Sequence, residues 1–175
     1  MSEWFTTYGF AEVDPALIVG AYPLDADDVR TLAAVGVDRV LNLVQDDEYA
    51  GGPEGRATVE RALHAHGIEE ARLELVDFGH LPADQLELAV TTLVSWMAAR
   101  DAAATGSDPV AGARIYVHCR AGWQRSAAVA AGAIAIYRGT GIQEALRDVQ
   151  LRKPTADPLP HQRRDLADWF ARRGG

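Results

Sequence analysis

Ile115-Tyr-Val-His-Cys119-Arg-Ala-Gly-Trp-Gln-Arg125-Ser-Ala-Ala-Val-Ala-Ala-Gly-Ala-Ile-Ala-Ile-Tyr137 is the stretch from which the fold can be read. Its first three residues form a short apolar run of the kind a buried strand shows. From Ser126 to Tyr137 the chain is apolar on every face of a helix, which predicts a central helix covered on several sides. Seven residues, Cys119 to Arg125, join the two. A short loop feeding a helix N-terminus turns backbone N–H groups toward one spot and adds the positive end of the helix dipole, so it forms an anion site. Gly122 lets the backbone turn back there and accepts a positive φ.

Arg125, at the helix start, can place its planar fork on two oxygens of a phosphate, a geometry that lysine cannot copy. The same field favours an ionised sulfur on Cys119, the nucleophilic form of a thiol. Ser126 follows directly and is placed to hydrogen-bond that sulfur and ease its departure. His118 can orient the loop through ring N–H groups on backbone carbonyls. Arg120, Ala121, Gly122, Trp123 and Gln124 complete the candidate phosphate loop, Arg120 as a second cation and Trp123 as an aromatic wall. The competing reading is a small buried cysteine beside a surface arginine.

The rest of the chain is consistent with one domain. At 175 residues it is long enough for a full core without staples. The single cysteine excludes an intramolecular disulfide and suits a reducing compartment. A formal charge of −8 opposes non-specific binding to nucleic acid or anionic lipid. No apolar run reaches membrane-spanning length and the first residues lack a leader's pattern, so the chain reads as cytoplasmic.

Ala16–Tyr22 predicts a buried strand. Asp25 predicts an N-cap with Asp28 at N3, and Gly36 ends that helix. Val37–Val44 reads as a strand, residues 53–66 as a helix and Arg72–Val76 as another strand. Leu86, Val90, Leu93 and Met97 mark a long amphipathic helix. Asp101–Ala113 reads as a surface insertion, and helices are expected over 142–152 and 161–172. Strands alternating with helices give an α/β domain: a mostly parallel sheet of four to five strands with helices on both faces, and ligands at the carboxyl ends of the strands.

His118, Cys119, Arg125 and Ser126 match the His-Cys-x5-Arg-Ser/Thr pattern of cysteine-dependent protein tyrosine phosphatases. The compact dual-specificity branch is the nearer likeness. The resemblance runs from about residue 17 to 170 and includes Gly20-Ala-Tyr-Pro23, Val40-Leu-Asn-Leu43 and Leu151-Arg-Lys-Pro154. It implies phosphomonoester hydrolysis through a phosphocysteine, with no metal or cofactor. It also implies a general acid, and Asp77, opening the Asp77-Phe-Gly-His-Leu-Pro82 loop after a strand, resembles that residue. Asp46-Asp-Glu-Tyr49 resembles an acidic loop of the mitochondrial phosphatidylglycerophosphate phosphatase but reads better as solvated charge, and Asp84 as the N-terminal charge of its helix.

The expected substrate is a phosphorylated protein or a small phosphomonoester. A phosphoinositide or phospholipid is the alternative, suggested by Arg120, with Arg152, Arg163 and Arg164 as a conceivable basic rim. A phosphate-binding module without turnover is the non-enzymatic alternative. Related Cys-x5-Arg enzymes such as arsenate reductases carry the element near the N-terminus, whereas here it lies two-thirds along the chain.

Overall fold

The computed structural model describes residues 1–104 and 114–173. Strands β1 (Phe10–Asp14), β2 (Leu17–Ala21), β3 (Val37–Asn42), β4 (Glu69–Arg72) and β5 (Arg114–Cys119) form one sheet in the order β1-β2-β5-β3-β4. Only β1 runs antiparallel, at the edge beside β2. The other pairings are parallel. This is the α/β architecture expected from the alternation of elements, with β5, the strand leading to Cys119, at the centre.

Strand periodicity divides the core into two layers. Leu17, Val19, Leu41, Ile115 and Val117 point into a cluster with helices α4 (Ala83–Ala104), α5 (Arg125–Arg138), α6 (Ile142–Arg152) and α7 (Pro160–Arg173). Their neighbours Ile18, Val40 and Tyr116 face the opposite side, against α1 (Glu3–Tyr8), α2 (Ala26–Ala34) and α3 (Gly52–Ala65). Helix α5 is buried on every residue from Arg125 to Ala135, as an all-round apolar helix must be. No helix among the described residues is long and apolar enough to cross a membrane.

Helix α2 starts as its sequence signal says: the Asp25 carboxylate accepts from the Asp28 backbone N–H at 2.9 Å. Two expectations need correction, and two elements were not foreseen. The strand read at Arg72–Val76 lies earlier, at Glu69–Arg72, where it pairs with Arg39–Asn42 of β3. The alternation that suggested it belongs to the trailing segment, in which the N–H groups of Leu73 and Leu75 still donate to Asn42 and Leu43 and Leu75 is buried. Helix α4 continues to Ala104, through the first four residues of the segment read as an insertion, and residues 105–113 lie outside the described residues. Elements α1 and β1, which carry no clear periodic signal, precede the first strand that was expected.

Candidate active site

Two parallel neighbours hold the end of β5 in place. The Leu43 N–H donates to the His118 carbonyl at 3.0 Å, and the Tyr22 N–H to the Arg120 carbonyl at 3.1 Å. Gly122 has φ +74°, and a Cβ there would lie 2.4 Å from the carbonyl carbon and 2.6 Å from the carbonyl oxygen of Gly20. Both the turn and the close approach of two backbones therefore require glycine. The loop enters α5 with no side chain capping the helix N-terminus. The positive end of the helix dipole thus lies at the loop.

Cys119 is 3% exposed. It lines the floor of an open cavity of about 310 Å³, whose other lining residues include Trp4, Tyr8, Asp77, Phe78, Arg120, Trp123 and Arg125. Its sulfur lies 3.3 Å from the Ser126 hydroxyl oxygen. The His118 ring is fully buried, and burial pushes its pKa down to about 3, with the Arg125 and Arg56 charges acting the same way. The neutral ring places Nδ1 3.3 Å from the Cys119 carbonyl oxygen, to which it donates.

Arg125 is enclosed, its side chain 1% exposed. The Glu48 carboxylate grips one edge of the guanidinium, Oε1 accepting from Nη1 at 2.7 Å and Oε2 from Nη2 at 2.6 Å. Nη1 also donates to the Leu75 carbonyl at 2.7 Å. Burial alone would lower the pKa of Arg125, but hydrogen bonds to Glu48 and the charges of Cys119, Glu48 and Asp77 raise it instead. Along the other edge Nε is buried with no hydrogen-bond partner among the described residues. Nη2 meets Asp77 Oδ1 at 2.8 Å. On the Nε–Nη2 edge, then, Nε is the position without a partner, and Nη2 is shared between Glu48 and Asp77.

Asp77, the residue read as the acid, lines the same cavity as Cys119. The acidic loop is a correction. Asp46 is solvated and pairs with Arg72 at 2.7 Å, as a surface charge does. Glu48, by contrast, is turned inward, because its Oε1 also accepts from the Gln45 N–H at 2.9 Å and closes the short 3-10 turn Asp46–Glu48. Tyr49 beside it is buried as well. Asp84 sits in the first turn of α4, as expected. Arg152, Arg163 and Arg164 do not line the cavity, and Arg163 is paired with Asp157 at 2.5 Å.

The sequence reading also missed the wall contributed by α1. Trp4 and Tyr8, four residues apart on one helix face, pack with ring centroids 4.2 Å apart and planes tilted by 39°. Tyr8 reaches Trp123 at 5.3 Å, and the Arg120 guanidinium lies 5.9 Å from the centre of the Trp4 ring. The i, i+4 spacing of two aromatics was the available signal. Lys153, the single lysine of the chain, is buried nearby and donates to the Tyr8 carbonyl at 3.4 Å. Desolvation lowers its pKa.

No protein-family model matches the sequence, and no curated protein matches it. Solved structures do. Tk-PTP in its active form superposes with a TM-score of 0.72 at 21% identity, over 93% of this chain and 97% of that one. PTPMT1 in complex with PI(5)P gives 0.72 at 22% identity, over 95% and 99% of the two chains. Human DUSP28 gives 0.65 at 23% identity, over 95% of each.

The fold is therefore that of the cysteine-dependent phosphatases. More narrowly, it is the compact form found in the dual-specificity branch, matched along nearly the full length of each of these structures.

Proposed function

We propose that this protein is a phosphomonoester hydrolase working through a phosphocysteine, most nearly a protein tyrosine or dual-specificity phosphatase. One observation carries the reading. Cys119, Asp77 and Arg125 line one open cavity at the end of the central strand, with the Ser126 hydroxyl 3.3 Å behind the Cys119 sulfur and Asp77 Oδ1 2.8 Å from Arg125 Nη2.

The arriving phosphate takes the Nε–Nη2 fork of Arg125 and the loop N–H groups, and so displaces Asp77 from Nη2. The Cys119 thiolate attacks phosphorus as the bond to the ester oxygen breaks, while Asp77 delivers its proton to the leaving oxygen. Water then attacks the phosphocysteine. Asp77, now the base, takes the water's proton, and the Ser126 hydroxyl donates to the departing sulfur. Glu48 keeps the guanidinium in plane throughout, so the fork is already oriented before substrate arrives. His118, Ala121, Gly122 and Gln124 shape the loop, and none of these steps calls on a metal or cofactor.

The rim favours a flat or apolar ester. Trp4, Tyr8, Phe78 and Trp123 surround the opening, and beyond Arg125 the lining has one further cation, Arg120. An aryl phosphate, as on a phosphorylated protein, fits such walls better than a headgroup carrying several phosphates. The lipid or inositol phosphate alternative retains Arg120 in its favour, together with the PI(5)P complex of PTPMT1. The nucleophile must stay reduced, so we place the protein in a reducing compartment such as the cytoplasm.

The test is hydrolysis of 4-nitrophenyl phosphate in the presence of chelator. Cys119→Ser is expected to abolish turnover and retain phosphate binding, and Asp77→Asn to slow hydrolysis of phenyl phosphate, whose poor leaving group needs the proton, by about tenfold or more. Turnover by Cys119→Ser at the native rate rejects the mechanism. A protein that binds phosphate with no turnover at all is the binding module instead. A panel of phosphotyrosine, phosphoserine and phosphothreonine peptides against phosphoinositides and phosphatidylglycerophosphate decides the substrate.

A further inference from the structure

Asp77 sits at the head of a short loop whose backbone does not hold its own shape. Phe78, the next residue, has φ +56°, the one non-glycine residue in the left-handed region among those described, and its side chain is exposed. A bulky residue in that region is costly and persists only where its surroundings over-determine it. Within the loop itself, a single backbone bond from the Gly79 N–H to the Val76 carbonyl at 3.0 Å closes the turn.

Asp77 itself is held from the sheet side, its N–H donating to Gln45 Oε1 at 3.3 Å and its Oδ1 lying 2.8 Å from Arg125 Nη2, while the residues after it are gripped by helix α7. His161 Nε2 donates to the carbonyls of Phe78, at 3.1 Å, and Gly79, at 3.0 Å. Gln162, fully buried, donates from Nε2 to the same Gly79 carbonyl at 3.0 Å, while its Oε1 accepts from the Leu159 N–H at 3.1 Å. Asp165 accepts from the Leu81 N–H and from His80 Nδ1, both at 2.9 Å. None of these three residues lines the cavity. Their helix is itself fixed in the core by buried Leu166 and Trp169.

We infer that His161, Gln162 and Asp165 form a latch by which α7 holds the Asp77 loop over the nucleophile, making them positioning residues for proton transfer. The inference rests on the proposed acid role of Asp77. Side chains that grip the carbonyls just after the acid set where its carboxyl stands relative to the leaving oxygen. Neither Arg125 nor Cys119 is hydrogen-bonded to any of these three residues. Loosening the latch should therefore impair only the step that needs a proton.

Leaving-group dependence separates that effect from general damage. An ester with a good leaving group, 4-nitrophenyl phosphate, needs little protonation, and phenyl phosphate needs it fully. In Gln162→Glu and in His161→Phe, kcat/KM for phenyl phosphate is expected to fall about tenfold or more, and for 4-nitrophenyl phosphate by much less. His161 is only partly buried and phenylalanine keeps the ring packed on His80, so this second variant should fold even where the first does not. In an Asp77→Asn background neither substitution should widen the gap between the two esters further.

Equal losses on both esters in a variant with the native melting temperature overturn the latch, as does an undiminished loss in the Asp77→Asn background. A different result rejects the acid role beneath it: Asp77→Asn itself showing no leaving-group dependence. Native turnover by Cys119→Ser would reject the phosphocysteine reading instead, so the three failures are distinct.

Discussion

Glu48→Gln tests how much of this site depends on a contact between segments that follow two neighbouring strands, β3 and β5. The substitution keeps the shape and one carbonyl acceptor but removes the charge that grips Nη1 and Nη2 of Arg125 at 2.7 and 2.6 Å. The Arg125 and Glu48 side chains are only 1% and 7% exposed, so solvent can replace little of the loss. Removing one member of a buried ion pair costs about 3–5 kcal/mol. The retained amide acceptor returns about 1 kcal/mol. Asp77, 2.8 Å from Nη2, keeps the guanidinium from standing wholly uncompensated and argues for the lower end.

A net loss of about 2–4 kcal/mol in a domain of this size lowers the melting temperature by roughly 4–16 °C. Activity should suffer separately, because the fork that receives phosphate is aimed by the edge that Glu48 holds. A misplacement of about 1 Å in such a group costs on the order of 10²-fold. The assay is kcat/KM for 4-nitrophenyl phosphate beside a thermal melt, with Glu48→Asp, one methylene too short to keep both bonds, as the companion variant. An unchanged melting temperature together with native kcat/KM in Glu48→Gln would refute the positioning role.

Three further outcomes follow from the geometry. The His118 ring has a pKa near 3 in the folded chain, below its ordinary value of about 6.5. Its contribution to stability is thus fully present above pH 6.5 and lost as pH falls through 3; His118→Asn should flatten that part of the stability profile measured by denaturant titration. Gly122→Ala forces a Cβ to within 2.4 Å of the Gly20 backbone at a φ of +74°. We expect loss of phosphate binding and a destabilisation of more than about 1–2 kcal/mol, read by isothermal titration and melting. Peroxide should inactivate the enzyme in a way that added thiol reverses at first. With a single cysteine no internal disulfide can protect the sulfur, so prolonged exposure should make the loss permanent, as activity after dithiothreitol would show.

Much of this protein was legible in its residues alone. An apolar run and an all-round apolar helix determined the strand and the central helix, with the seven-residue loop between them. The spacing of Cys119, Arg125 and Ser126 in that loop suggested the reaction proposed for them, because loop and helix geometry are local consequences of chain order. The position of Asp77 could be read as well, since it follows a strand and opens a loop, although the strand itself pairs three residues earlier than its alternation suggests.

What tertiary structure decided is what depends on distant segments meeting. Glu48 looks like one of three solvated acids until Arg125, 77 residues away, is placed against it. Trp4 and Tyr8 belong to a helix with no evident role until the phosphate loop comes to rest beside it. The grip of α7 on the Asp77 loop joins residues more than 80 positions apart. Local pattern reports which face of an element is apolar and where a chain must turn, but burial of a charge depends on a partner that only the folded chain brings within hydrogen-bonding distance.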